Sequence, residues 1–274
     1  MAVAVITDSA AALGADLLGR WGITVVPMHL TIGETSYQDD EVALAELVAR
    51  IQEGIHTSGP TPGAFVDAIE RADTGDGVVV LTVSSRMSST YQTAQVAVGK
   101  TGGDVRVIDT GTAAGAQGLV VLAAAEAAGR GQDIERVTAQ ARRVAARVRL
   151  VAAVDSLEYL VRGGRLPEVA GRAGGRLGVR PLFEFRAGRI HALRPSLSHQ
   201  AAIGHVLSQW RRTKVPGAPL HVAALHALDP RAATRLLDAV RAEVEPVTAF
   251  IQSFGPVMVA HTGPGVTGLA WWWD

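Results

Sequence analysis

The chain has 274 residues, enough for about two domains at ~100–200 residues each. Its 26 Lys plus Arg balance 26 Asp plus Glu, which excludes the strongly basic profile of a generic nucleic-acid binder. There is no cysteine, so disulfides, thiolate metal sites and cysteine nucleophiles are excluded as well. Hydrophobic residues at 48% and charged residues at 19% provide a core and argue against bulk disorder. The balanced charge hides a pattern. Residues 1–80 carry 12 acids and 3 bases, residues 81–141 carry 5 of each, residues 142–194 carry 12 arginines and 4 acids, and residues 195–274 carry 6 bases and 5 acids. The N-terminus, MAVAVITDSAAAL, lacks the basic start of a signal peptide. The apolar stretch Leu119–Ala125 stops at Glu126, far short of the ~20 residues a membrane helix needs. A cytoplasmic protein with no membrane span is the expectation.

In chain order, Val3–Thr7 is a short β-branched run that reads as a buried strand entering a turn at Asp8-Ser9. Ile23–Leu30 reads as a second strand. Leu44, Leu47, Val48 and Ile51 lie on one helix face behind the acids Asp39-Asp40-Glu41, which suit a helix N-terminus. HTSGPTPG (residues 56–63) is turn-rich and precedes a helix through Phe65, Ile69 and Ala72. Val78–Val83 is a strand, Tyr91–Val98 a helix and Val105–Ile108 a strand. Two helices follow, at about Ala113–Ala128 and Asp133–Arg147. Helical crossovers between buried strands predict an α/β N-terminal domain, residues 1–149, with a mostly parallel sheet and helices on both faces.

From Leu150 the pattern becomes α+β, which predicts a second domain over residues 150–274. Leu150–Val154 reads as a strand and Ser156–Val161 as a short helix. An Arg/Gly-rich stretch covers Arg172–Arg180, and a hairpin turns at Ala187-Gly188. A helix (Ser198–Arg212), a strand (Leu220–Leu225), a helix (Pro230–Val244) and two closing strands around Gly255-Pro256 complete the reading.

Ligands of parallel sheets sit at the carboxyl ends of the strands. Three polar loops fall there: Thr7-Asp8-Ser9, Ser84–Thr90 and Asp109-Thr110-Gly111. Helix capping explains one or two hydroxyls in such a turn, but Ser84, Ser85, Ser88, Ser89 and Thr90 crowd into seven residues. A row of hydroxyls beside helix N–H groups suits a carboxylate or phosphate. Thr57-Ser58 add two more in a Gly/Pro loop, and His261 is placed in a Gly/Pro-rich turn after an apolar strand. Gly263–Gly268 matches GxGxxG, but only six residues follow it, too few for a dinucleotide-binding unit. A P-loop, an HExxH helix and an EF-hand loop are absent, and the eight histidines have no compact metal-ligand spacing. A serine hydrolase using His261 with Asp8 or Asp109 is the enzyme alternative, although no serine sits in a GxSxG elbow.

The motifs taken together resemble the DegV family of bacterial fatty-acid-binding proteins, whose kinase-coupled members are called FakB. The matching residues are Ile6-Thr7-Asp8-Ser9; Val26-Pro27-Met28 with Tyr37 and Asp39; Thr57-Ser58-x-Pro60-Thr61; Ser84-Ser85-x-Met87-Ser88-Ser89-Thr90-Tyr91; Ile108-Asp109-Thr110; Leu157-Glu158-Tyr159-Leu160 with Gly163-Gly164-Arg165; Arg180-Pro181; and His261-Thr262-Gly263-Pro264-Gly265. The resemblance implies two α/β-type domains with a long-chain fatty acid in an apolar tunnel and its carboxylate at polar residues between them. It implies a carrier rather than a catalyst, with a separate ATP-dependent fatty acid kinase as partner in the kinase-coupled members. No cofactor is implied beyond the bound lipid, and a monomer is expected. By motif match, the carboxylate contacts are Thr57, Ser58, Ser88 and His261, with Ser85, Thr90 and Thr262 as second choices. Arg165, in the Gly-Gly-Arg turn, is expected to face a partner or to order its loop, and Arg194 to face a partner.

Two departures stand out. The family's Ser-Gly-Thr-Tyr is Ser88-Ser89-Thr90-Tyr91 here, which changes the turn if the glycine served a positive φ. A basic K-x-R pattern expected after Gly188 is replaced by Leu193-Arg194-Pro195-Ser196-Leu197-Ser198, leaving only Arg194 nearby.

Overall fold

A computed structural model describes residues 2–167 and 179–274, so most of the Arg/Gly-rich stretch lies outside the described residues. The elements begin with β1 (Ala4–Asp8), a 3-10 turn (Ser9–Ala11), α1 (Ala15–Trp21), β2 (Thr24–Val26), β3 (His29–Ile32), β4 (Thr35–Gln38), α2 (Leu44–Ala49) and β5 (Ile55–Ser58). Next come α3 (Pro62–Ala72), β6 (Val78–Thr82), α4 (Thr90–Val98), β7 (Val105–Asp109), α5 (Ala114–Gly129) and α6 (Ile134–Ala145). The second half holds β8 (Arg149–Ala153), α7 (Glu158–Arg162), β9 (Arg180–Arg186), β10 (Arg189–Ser196), α8 (His199–Arg211), β11 (Leu220–His226), α9 (Pro230–Arg241), β12 (Thr248–Ser253), α10 (Pro256–Thr262) and β13 (Thr267–Trp273).

β2-β1-β6-β7 form a four-stranded sheet in which every pair is parallel. α3 and α4 cover one face, where Phe65, Ile69 and Ala94 meet Ile6, Val26, Val78 and Val80. α5 and α6 cover the other. A second sheet of order β10-β9-β8-β13-β11-β12 is antiparallel except at β11-β12. Its outer face carries α8 and α9 on a core that includes Trp210 and Trp271. α5 packs on both sheets at once. All its residues but Glu126 and Gly129 are buried, which is why its sequence is apolar on every side rather than amphipathic. The result is a mixed α/β protein with a parallel, helix-flanked sheet and a separate, mostly antiparallel one.

Several local expectations are corrected. Ile23–Leu30 is two strands in two sheets, because Pro27 has no N–H to continue the parallel ladder. β3 instead starts a three-stranded antiparallel sheet of order β4-β3-β5. Thr57-Ser58 are therefore the end of a strand, with Thr57 opposite Leu30 and Ser58 opposite His29. The segment after Gly255 is a helix and not a strand, since Pro256 takes the first helical turn, where a missing N–H costs nothing.

Candidate functional site

The carboxyl ends of the parallel strands face the inner side of the second sheet, and a cavity of about 260 Å³ lies between them. That is just under the ~300–1,000 Å³ usual for small-molecule sites. Most of the wall is apolar. Phe183, Phe185 and Ile190 come from the β9–β10 hairpin, and Leu150 and Ala152 from β8. Phe254, Val257 and Met258 come from α10 and the residues before it; Ala10, Met28, Val83 and Ala113 come from the loops at the strand ends. At one end the lining turns polar, with Thr57, Ser58, Ser88, Ser89, Arg165, His261 and Thr262. Ser58 and Ser89 are exposed, so this polar end opens to solvent.

Each polar group is placed by a local device. His261 stands in the last turn of α10, not in a turn after a strand, and its Nε2 is 2.8 Å from the Thr57 hydroxyl. A Cβ on Gly163 would overlap the imidazole at Nδ1, so glycine is what lets the ring approach α7. Nδ1 itself has no hydrogen-bond partner among the described residues. Burial, then the nearby Arg165 charge, push His261 down to about 4, so it is neutral at physiological pH. Among the described residues no carboxylate reaches Nδ1, and the two acids of the hydrolase alternative are held elsewhere. Asp8 is engaged with Val83, Ala10 and Gln117, and Asp109 with Ser85 and Gly111.

Ser88 sits just before α4, where its hydroxyl meets that of Thr90 at 2.8 Å. Thr90 is fully buried and does not line the cavity; a Cβ on Gly59 would come within 2.7 Å of its hydroxyl, so Gly59 lets β5 close on α4. Ser89 has φ −75°, so this turn needs no left-handed residue and tolerates serine. Ser85 points away from the cavity and donates to Asp109, which also accepts from the Ser85 N–H. Thr262 lines the wall, but its hydroxyl donates to the Met258 carbonyl at 3.0 Å.

Arg165, expected to face a partner or to order its loop, is half-buried on the cavity wall. The Gly163-Gly164 turn sends its guanidinium inward, to the Met87 carbonyl (3.1 Å) and the Gly163 carbonyl (2.6 Å). Burial pushes it below its ordinary value, and no acid forms an ion pair with it among the described residues. Arg194 is exposed on β10, outside this cavity. The structure thus brings Thr57, Ser58, Ser88, His261 and Thr262 together with Arg165 and leaves out Ser85, Thr90 and Arg194. Sequence reasoning missed Ser89 as a wall residue and did not place Arg165 on the cavity wall, although the glycine pair before it was the available signal.

Fold and site together define an α/β protein of three sheets with a mixed cavity, apolar along its wall and polar at its mouth. The chain matches the family model for the uncharacterised DegV family over residues 2–273, and it belongs to that family. It is 35% identical over 273 residues to a DegV domain-containing protein of Streptomyces coelicolor, covering 97% of each chain. Its fold is similar to that of a DegV family protein from Thermus thermophilus described for its fatty acid binding (TM-score 0.93, 29% identity, 100% of both chains). It is similar as well to Bacillus subtilis DegV, described as a fatty acid binding protein (TM-score 0.88, 26% identity, 100% of both chains).

Proposed function

We propose that this protein is a carrier that holds a long-chain fatty acid in the cavity, with the carboxylate at Thr57, Ser58, Ser88 and His261 and facing Arg165. The observation that carries the reading is an apolar wall ending at a half-buried guanidinium with no acid paired to it among the described residues. Arg165 spends two N–H groups on carbonyls and keeps others for an anion. A carboxylate there gains charge-assisted hydrogen bonds, and neutral His261 and the hydroxyls add donors without a second buried charge. Burying about fourteen methylenes at ~0.8 kcal/mol each gives on the order of 11 kcal/mol before association costs. The tail therefore supplies affinity and the polar end supplies orientation. The fatty acids described for the Thermus and Bacillus relatives support the same ligand class.

The carrier role extends to presenting the bound acid to a separate ATP-dependent fatty acid kinase, whose product would be the acyl phosphate and ADP. The open polar mouth suits such access. Native mass spectrometry of the purified protein, with solvent extraction, should reveal a bound acyl chain. If no acyl chain co-purifies and palmitate does not raise the melting temperature, the reading is wrong.

A further inference from the structure

Three parts of the cavity wall are held by two buried carboxylates, and a fourth by the hydroxyl of Ser9, rather than by sheet or helix ladders. Asp8 is fully buried; its Oδ2 accepts from the Val83 N–H at 2.8 Å, and its Oδ1 from the Ala10 N–H at 3.1 Å and the Gln117 amide at 3.0 Å. Asp39 is 3% exposed, and its Oδ1 accepts from the Val257 N–H at 2.8 Å. The Ser9 hydroxyl lies beside Asp39, where it lowers the carboxyl against the rise from burial, and it accepts from the Met28 N–H at 3.0 Å. Ala10, Met28, Val83 and Val257 all line the cavity.

No cation pairs with either carboxylate among the described residues, so both bear the cost of burial without a counter-charge. What they offer is acceptor capacity: an asparagine at position 8 would turn an NH₂ toward a backbone N–H. At Asp39 the geometry reaches further. Val257 lies in the first turn of α10, where the preceding Gly255 supplies no side-chain cap. Asp39, 218 residues away in sequence, fills that role from the loop after β4. Gly255 leaves room for it, since a Cβ there would lie 3.3 Å from the carboxylate. The other end of the same helix carries His261 and Thr262.

We propose that Asp8 and Asp39 are positioning residues of the cavity, and that Asp39 is the external cap of α10 that sets where His261 meets Thr57. The ionisable groups facing Asp39 are Asp8 and Asp40, both acidic. The ligand readout below rests on the fatty-acid reading; the His261 readout does not.

The test uses the full chain with Asp39→Ala and Asp39→Asn. Palmitate affinity is measured by calorimetry, and the His261 titration by NMR of the imidazole nitrogens. In Asp39→Ala, palmitate binding should weaken at least tenfold, and the His261 pKa should rise by a unit or more as water reaches the ring. Asp39→Asn keeps an acceptor for the Val257 N–H and should restore most of both. A lowered melting temperature with unchanged affinity and an unchanged His261 titration would mean a merely structural role and overturn the proposal. Should Asp39→Ala fail to fold, Ser9→Ala removes only the hydroxyl between Asp39 and Met28; it should weaken palmitate binding several-fold, and wild-type affinity would overturn the proposal. If the wild type binds no palmitate, the fatty-acid reading fails by itself, and the His261 titration decides this one.

Discussion

His261→Gln isolates the electrostatic cost built into the site. The folded protein holds His261 near 4 against an ordinary value of 6.5, through burial and then the Arg165 charge. Above pH 6.5 the imidazole is neutral in folded and unfolded chains alike and costs nothing. Between pH 6.5 and 4 the unfolded chain takes up a proton that the folded one refuses, so stability falls as pH falls. At about 1.4 kcal/mol per pKa unit, the loss reaches roughly 3 kcal/mol by pH 4. Asp8 works in the opposite direction, because burial raises it from 3.8 to about 6. Over that window the folded chain binds the extra proton, and stability rises as pH falls, again by roughly 3 kcal/mol. In the wild type these two contributions offset each other between pH 4 and 6. Glutamine keeps a polar contact for Thr57 but cannot titrate, so the variant should gain stability over the wild type as the pH drops. At ~2–4 °C per kcal/mol, the difference in melting temperature should shift by about 6–12 °C between pH 7.5 and 4. Parallel thermal melts across that range measure it. A wild-type-minus-variant difference that stays constant with pH would refute both the buried, neutral His261 and the reasoning from it.

Arg165→Met should leave the fold intact and weaken palmitate binding by roughly 10–100-fold, the worth of a charged hydrogen bond of ~1.5–3 kcal/mol, as read by calorimetry. Ser85→Ala should lower the melting temperature through loss of the Asp109 bond while leaving palmitate affinity within twofold, since Ser85 is off the cavity wall. Ala152→Phe should fill the cavity beside Phe183, costing about 1–3 kcal/mol in overpacking and abolishing retention of a sixteen-carbon acid in extraction mass spectra; full retention would show that the chain lies elsewhere.

Much of the fold was legible because its signals are local. The runs Val78–Val83 and Val105–Ile108 are β-branched and bounded by turns, and both are strands within a residue or two. The strand-end loops were legible for the same reason, and all three meet at one edge. What escaped was set by distant partners. β5 is a strand because β3 lies beside it, and four residues ending in Gly59-Pro60 carry too little alternation to say so. α10 depends on a cap supplied from Asp39. Arg165 followed a recognisable turn, yet only the packing of α7 against α10 and Met87 decides that its charge goes inward. Within the hydroxyl cluster, composition could not separate Ser88 from Ser85. One faces the cavity and the other is taken up by Asp109, a choice made by β7.

The segregated charge has a similar resolution. Of the arginines in residues 142–194, Arg143 pairs with Asp274, Arg149 with Glu184, Arg162 with Glu158 and Arg180 with Asp155. Arg165 is turned inward. Arg186, Arg189 and Arg194 stand exposed on the β9–β10 hairpin, and Arg142 and Arg147 at the end of α6. Among the described residues, the arginines of the 142–194 stretch therefore divide into ion pairs, one half-buried guanidinium and separate exposed groups. The acids of residues 1–80 divide likewise: Glu46 and Glu53 pair with Arg50, Glu41 accepts from the Gln38 N–H, and Asp8 and Asp39 are consumed by the cavity wall. The buried member of each group matters most. One guanidinium at the mouth and two carboxylates behind the wall place opposite charges on opposite sides of the lining, and among the described residues only the guanidinium faces the cavity. In the fatty-acid reading proposed above, an anionic head group suits that space because the two carboxylates behind the wall are already engaged by backbone N–H groups.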